Sequence, residues 1–310
     1  MMTVPVAEQE ARARSSAEQR EFERTAVAEH YEHDPRIFSM VLDSGLAYAT
    51  GLYQSPADDL ETAQQRKYRY IHRLLAIAPG ENVLDIGCGW GSNLLYLGAH
   101  TGGTFHGVTL SAQQRDELLR RASARGLGSR IRVDVRHVEE LDLPAGSVDS
   151  VLFSGSIVHM RNRAEIHRWA SSVLRPGGRL LISDCYYPVH VRGNRASHAT
   201  DYIFYQTLGY CLLLNLHEEL ALIEDAGLDV RHVQDLTSSY ALTLAAWIDN
   251  VRRNRGAIDA LAPGFATVLQ TYMTVARLSF ARRTALEYMI LAVKSEPRTE
   301  LDAWRMAEGS

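Results

Sequence analysis

The chain has 310 residues, 46% of them apolar, with 37 acidic against 33 basic side chains and a formal net charge of −4. That length suits one α/β domain with insertions, and the small acidic excess creates no field that would draw in nucleic acid or an anionic membrane. Three cysteines without a CxxC pair, Cys88, Cys185 and Cys211, argue against a disulfide framework or a structural zinc and fit a reduced, cytoplasmic setting. No basic segment followed by an apolar stretch marks a secretory leader. Apolar runs such as YCLLLNL at 210–216 fall far short of a bilayer span, so no integral membrane association is expected.

Residues 7–29, AEQEARARSSAEQREFERTAVAE, are charged, alanine-rich and free of Gly and Pro. They read as a solvated helix with a thin apolar stripe, an arm that either frays or pairs with a second copy as a homo-oligomer contact. A helix is expected from Asp58 to Ala76 behind SPADD, with Asp58 or Ser55 as its cap and Pro56 in its first turn. Five apolar runs follow at 82–87, 104–110, 130–135, 147–153 and 178–185, with helical stretches between them at 91–100, 112–125 and 163–174. Residues 186–215 are rich in aromatics and show no strand pattern. An amphipathic helix at 216–228, a strand at 229–236, a helical region from Leu242 to Arg283 broken at Ala262-Pro263-Gly264, and a strand at 286–295 complete the chain. The alternation predicts an α/β fold, Rossmann-like, around a doubly wound, mostly parallel seven-stranded sheet. It divides into an N-terminal helical arm and site-covering segment over 1–65, a core over 66–295 with a helical insertion at about 186–215, and a tail over 296–310.

The segment ENVLDIGCGWGSN, residues 81–93, is a strand running into a glycine loop and then a helix. A dinucleotide fold wants G-x-G-x-x-G and an acid at the end of the second strand. Here the spacing is Gly87-x-Gly89-x-Gly91, Ser92 stands at the third glycine's place, and the second strand ends in Thr109. S-adenosylmethionine (SAM) has no pyrophosphate to cradle. Glycines let the chain turn sharply beside such a ligand, and Asp85 can organise the loop. RPGGRLLI at 175–182, a turn into the fifth strand, points the same way.

With these motifs in order, the chain resembles the class I SAM-dependent methyltransferases, and among them the cyclopropane-fatty-acid-synthase-like group. The resemblance rests on HYEHDPRIFSMVLDSGLAYATGLY (30–53), ETAQQRKYRYIHRLL (61–75), VLDIGCGWG, GVTLSAQQ (107–114) and SYALTLAAW (239–247). It implies SAM as cofactor. Gly87, Cys88 and Gly89 would face the methionine part, with Asp85 and Phe153 beside it. Thr109, Leu110 and Gln114 would surround the ribose and adenine, His137 and Val138 would flank adenine, and Tyr48 would reach in from the N-terminal segment. No metal is implied.

The same resemblance exposes a difference. Cyclopropane synthases of this group hold a bicarbonate that takes the last proton, with a Cys, a Glu and a His among its ligands. Those three positions read Thr50, Val158 and Ser183 here, while His159 and Tyr240 remain as catalytic candidates. An anion buried with too few donors is costly, so bicarbonate is not expected. Aromatic residues crowd the segment after the fifth strand. With Val158, the side chains Tyr187, Phe204 and Tyr205 are expected to meet a small apolar or aromatic substrate. The expected activity is methylation of an alkene or prenyl carbon on a small secondary metabolite, with cyclisation of the resulting cation as a further outcome. The alternatives are N- or O-methylation with His159 or Tyr240 as base, cyclopropane synthesis, and a SAM-binding assembly protein without catalysis.

Overall fold

The computed structural model describes residues 33–191 and 211–295, with Glu18, Glu21 and Thr25 as isolated positions. The helix expected at 7–29, the tail at 296–310, and the candidates Phe204 and Tyr205 otherwise lie outside the described residues. Seven strands form one sheet: β1 (Asn82–Ile86), β2 (Thr104–Thr109), β3 (Ile131–Val135), β4 (Val148–Ser154), β5 (Leu174–Tyr186), β6 (Leu228–Asp235) and β7 (Leu286–Lys294). Their order is β3-β2-β1-β4-β5-β7-β6. The first five run parallel, and β7 runs antiparallel to both β5 and β6.

Central strands covered on both faces are buried at successive rather than alternate residues, and β1 from Val83 to Ile86 and β4 from Val148 to Phe153 are so. One face carries α3 (Ser92–His100) and α4 (Ala112–Ala124), joined by α2 (Leu60–Leu75). Leu94, Leu95, Leu118 and Ile71 form its core. The other face carries α5 (Arg163–Val173) and α6 (Leu216–Asp225), with Ile166, Ala170 and Ile223 packed on β4 and β5. A third apolar cluster lies above the carboxyl ends of the parallel strands. It joins α1 (Pro35–Val41) to α7 (Thr237–Arg253), α8 (Arg255–Leu261) and α9 (Phe265–Ala281) through Phe38, Trp90, Trp247, Met273 and Phe280.

Helix α7 also ties down the segment that follows α1. Gly51 donates its amide to Thr243 Oγ1 at 2.9 Å, Tyr53 donates to Ser239 Oγ at 3.1 Å, and the Asn250 amide donates to the Val41 carbonyl at 2.7 Å. Backbone donors of an irregular segment buried under helices must find such partners.

Two expectations are corrected. The cap of α2 is Asp59, which accepts from Thr62 N at 2.7 Å; Asp58 instead accepts from Gln54 N and Ser55 N and pairs with Arg66, and Pro56 precedes the helix. Helix α2 runs unbroken through 60–75, across the division expected at residue 65. Helix α7 starts at Thr237 rather than Leu242, since Asp235 accepts from the Thr237 amide at 2.8 Å and turns the chain directly from β6 into the helix. Helices α7 to α9 above the site come from 237–281; most of the insertion expected at about 186–215 lies outside the described residues, and its described ends meet in a bridge from Tyr187 to Asn215.

Candidate active site

Two adjoining pockets open at the carboxyl edge of the parallel strands, where α/β sheets place their ligands. The first lies at the end of β1. Gly87 N and Cys88 N both donate to the Val108 carbonyl, at 2.8 and 2.9 Å, which folds the loop back onto β2. Gly87 has φ +71°, and a Cβ there would sit 2.4 Å from Ser156, so the turn needs glycine twice over. Gly89 has φ +52°, and a Cβ there would meet nothing, because that position faces the pocket. Asp85, Asn93, Gln114 and Ser154 complete the lining, with Leu46 and Tyr48 opposite.

The donor set fits SAM. Asp85 Oδ1 and Asn93 Oδ1 are buried acceptors with no protein partner, suited to a ligand that carries ammonium and hydroxyl donors. Thr109 Oγ1 donates to Gln114 Oε1 at 2.6 Å and fixes that amide at the end of β2. SAM supplies an electrophilic methyl group on a sulfonium. The chain's part is to orient that group and keep water out.

The second pocket shares Tyr48, Ala49 and Gly155 with the first. Rings of Tyr240, Tyr272 and Phe280 form its roof, and Thr50, Val158 and His159 one wall. Its floor is acidic: Asp184 on β5 and Glu287 on β7. Tyr48 and Trp247 stack with centroids 5.2 Å apart, and Tyr240 lies 4.5 Å from Phe280, so the roof is a packed aromatic layer.

Buried charge concentrates below this floor. Lys67, 1% exposed, stands among Asp43, Glu287 and Asp85. Burial pulls its ammonium down to about 8 against the pull of those carboxylates. Burial pushes Asp85 up to about 7, with Lys67 opposing. Burial likewise pushes Glu287 up to about 8, and neighbouring Asp184 adds to the rise. Asp184 is raised by its own burial, opposed by Arg163 first and by the amides of Cys185 and Val158 and by His159. Arg163 also pairs with Glu219, which in turn accepts from His167 at 2.8 Å, a buried clamp between α5 and α6.

The structure brings most sequence-identified candidates together. Tyr48, Asp85, Gly87, Cys88, Gly89 and Gln114 line the first pocket, with Thr109 bonded behind Gln114. Val158, His159 and Tyr240 line the second. Leu110, His137, Val138 and Phe153 are outside the lining of either. Val138 and Phe153 sit in the core on the α5 side, and His137 caps a 3₁₀ turn at 138–140. Tyr187 is buried in the cluster above the sheet and does not line the pocket. Burial pushes the Tyr240 phenol well up, which makes it a neutral O–H rather than a base. Sequence reasoning missed Tyr272, Phe280, Asp184 and Glu287. For the two acids the signal was there: each is a lone carboxylate inside an apolar strand run, LLISDCY and ALEYMIL. Among the described residues, no three His, Cys, Asp or Glu converge as metal ligands, and no helix is long and apolar enough to cross a membrane.

Comparison with known proteins agrees with this geometry. Residues 18–288 match the family described as mycolic acid cyclopropane synthetase. A Mycobacterium tuberculosis protein named as a probable fatty acid methyltransferase is 30% identical over 278 residues, which is 88% of this chain and 63% of that one. The chain therefore spans less than two thirds of that relative's length. The cyclopropane synthase MmaA2 from the same organism superposes with a TM-score of 0.82 at 20% identity, covering 87% of this chain and 98% of that one. The geranyl diphosphate C-methyltransferase from Streptomyces coelicolor A3(2) superposes with a TM-score of 0.64 at 18% identity, covering 88% and 98%. The glycine loop with its partnerless acceptors, the 3-2-1-4-5-7-6 sheet and the family match together make this chain a SAM-dependent methyltransferase belonging to the mycolic acid cyclopropane synthetase family.

Proposed function

We propose that the chain methylates an alkene carbon, of a prenyl or similarly apolar small molecule, and that the cation so formed loses a proton or cyclises without bicarbonate. The observation that carries this reading is the second pocket. It meets the SAM pocket at Tyr48, Ala49 and Gly155, and its roof is a layer of rings from Tyr48, Tyr240, Tyr272 and Phe280. Such faces accept a hydrocarbon and hold a passing positive charge. Val158 turns one wall apolar, and Thr50 spends its hydroxyl on the Gly51 carbonyl at 2.9 Å. Both stand where cyclopropane synthases carry bicarbonate ligands. The relatives named as a probable fatty acid methyltransferase and a geranyl diphosphate C-methyltransferase support an apolar acceptor, and the second name a carbon one, without choosing between an acyl and a prenyl chain.

The test is to supply SAM and a panel of prenyl and mono-unsaturated acyl substrates in bicarbonate-depleted buffer, and to identify products by mass and NMR. Methylated or cyclised alkenes formed at undiminished rate are expected. A cyclopropane product, or turnover restored only by added bicarbonate, overturns the reading. Methylation solely at nitrogen or oxygen replaces it with an amine or hydroxyl acceptor.

A further inference from the structure

Glu287 is the second residue of β7. Because β7 runs against the parallel strands, its beginning lies at their carboxyl edge, in register with Cys185 near the end of β5. The side chain is 3% exposed and lines the pocket beside the one that fits SAM. Ser183 Oγ donates to its Oε1 at 3.0 Å and Cys185 Sγ to its Oε2 at 3.2 Å. Its own backbone is fixed as well: Leu236 N donates to its carbonyl at 2.8 Å, and its amide donates to Thr237 Oγ1 at 3.1 Å. A carboxyl group held this firmly at the floor of an aromatic pocket has no ion-pair partner in direct contact among the described residues. Asp184 and Cys185 face it from β5, Lys67 acts on it from α2, and Tyr240 faces it from α7.

We propose that Glu287 accepts the proton that the methylated acceptor sheds, and that it is readied for this by surrendering its own proton when the adjoining pocket takes up a positively charged ligand. The proposal rests on the methyltransferase site described above and on the proposed acceptor only for the identity of the bond that breaks. For a carbon acceptor, the alkene's π pair forms the bond to the incoming methyl carbon as that carbon's bond to sulfur breaks and its electron pair stays on sulfur, leaving a cation on the neighbouring alkene carbon. A C–H bond beside that cation then breaks. Its electron pair becomes the new double bond, and the proton goes to a carboxylate oxygen of Glu287. For an amine acceptor the same oxygen takes the N–H proton.

Charge is balanced over the cycle. The proton released when the cation arrives is matched by the proton gained at the end, when the remaining cofactor product is neutral. Glu287, pushed up to about 8 by burial first and Asp184 second, is protonated in the unliganded chain at neutral pH. A nearby positive charge favours its ionised form and lowers that value. His159 shares the pocket wall but leans on Asp184, and the raised phenol of Tyr240 cannot serve as acceptor at neutral pH.

The experiment is calorimetry of the full chain at pH 7, titrating SAM and, separately, its uncharged-sulfur product S-adenosylhomocysteine, in buffers of different ionisation enthalpy. SAM is expected to release more protons than the product does, the excess approaching one, while any release from Asp85, which meets the ammonium that both ligands carry, is common to the two. Glu287→Gln should keep SAM binding and lose that excess. Equal release with both ligands in the native chain, or an undiminished excess in Glu287→Gln, overturns the proposal. Should Glu287→Gln fold poorly, infrared titration of the native chain decides the matter instead. A protonated-carboxyl band that Glu287→Asp shifts, and that SAM removes at pH 7, supports the proposal; a band indifferent to SAM overturns it. Turnover adds an independent arm. With an acceptor the native enzyme converts, Glu287→Gln should slow product formation at least about a hundredfold and divert it to water-captured or isomeric products, the usual scale of losing one acid-base group. If the native chain methylates only nitrogen or oxygen while the proton release still traces to Glu287, the carbon acceptor falls and Glu287's role stands.

Discussion

Glu287 makes its own cost measurable. In the folded chain its carboxyl titrates at about 8, above the ordinary carboxylate value, so between those two limits the folded state holds a proton that the unfolded state has lost. The group's contribution to stability is therefore intact below the ordinary value and is lost as pH rises through about 8. Glu287→Gln removes this dependence. At pH 8 the variant is expected to be more stable than the native chain by on the order of 1–3 kcal/mol, and at pH 5 nearly equal to it, as read from denaturant unfolding at both values. The position illustrates what a linear reading can and cannot reach. The acid in ALEYMIL stands out in the sequence as a charge inside an apolar strand. Its partners do not, because Ser183 and Cys185 lie more than a hundred residues away and meet it only through the antiparallel register of β5 and β7. The glycine loop was easier. Gly87 to Gly89 turn the chain within a few residues, where spacing and conformation are the same information.

Among the elements, β1 to β4 were legible to within a residue because burial on both faces favours apolar residues along the strand, whereas β5 begins at Leu174, four residues before the expected 178. The start of α7 was not legible. Thr237, Ser238 and Ser239 read as a polar turn, yet Thr237 and Ser239 are buried, bonding Glu287 and Tyr53, so tertiary partners override their weak helix preference. The pair α5 and α6 allows a sharper statement. Glu219 on α6 is fully buried and accepts from both Arg163 and His167 of α5. Arg163 also donates to the Leu212 carbonyl at 2.8 Å, while Leu212 N donates to the carbonyl of Val158 at 2.7 Å. The clamp thus carries residues 211–215 onto the wall of the second pocket. Glu219→Ala strands a buried guanidinium and is expected to cost about 3–5 kcal/mol in denaturant unfolding. In the fraction that stays folded, SAM affinity should hold, because the first pocket draws nothing from α5 or α6.

Across the whole molecule, the two pockets draw on different layers. The first is built from the sheet edge and its loops together with Leu46, Tyr48 and Ala49 of the segment after α1, and the second is shared between the sheet edge and the helices above it. A ligand that binds only the folded chain at a hundred times its Kd stabilises it by about 2.7 kcal/mol, so SAM is expected to raise the melting temperature by a few degrees. Gly89→Val places a β-branched residue at φ +52°, which strains the backbone, but its side chain meets only pocket space; the variant is expected to fold with lowered stability and to lose that rise. An undiminished rise in the folded variant would move the cofactor elsewhere. The helices α7 to α9 leave the sheet after β6 and return to it at β7, and the two points of departure are one hydrogen bond apart, from Leu236 N to the Glu287 carbonyl. The two ends of this segment are pinned to neighbouring strands, so the rings it hangs over the second pocket, Tyr240, Tyr272 and Phe280, can differ in size while β6 and β7 keep their places. Its inner face is not free to change in the same way: Ser239, Thr243 and Trp247 hold the segment after α1, and with it Tyr48 of the first pocket. Acceptor shape and cofactor grip are thus written on two faces of one helix.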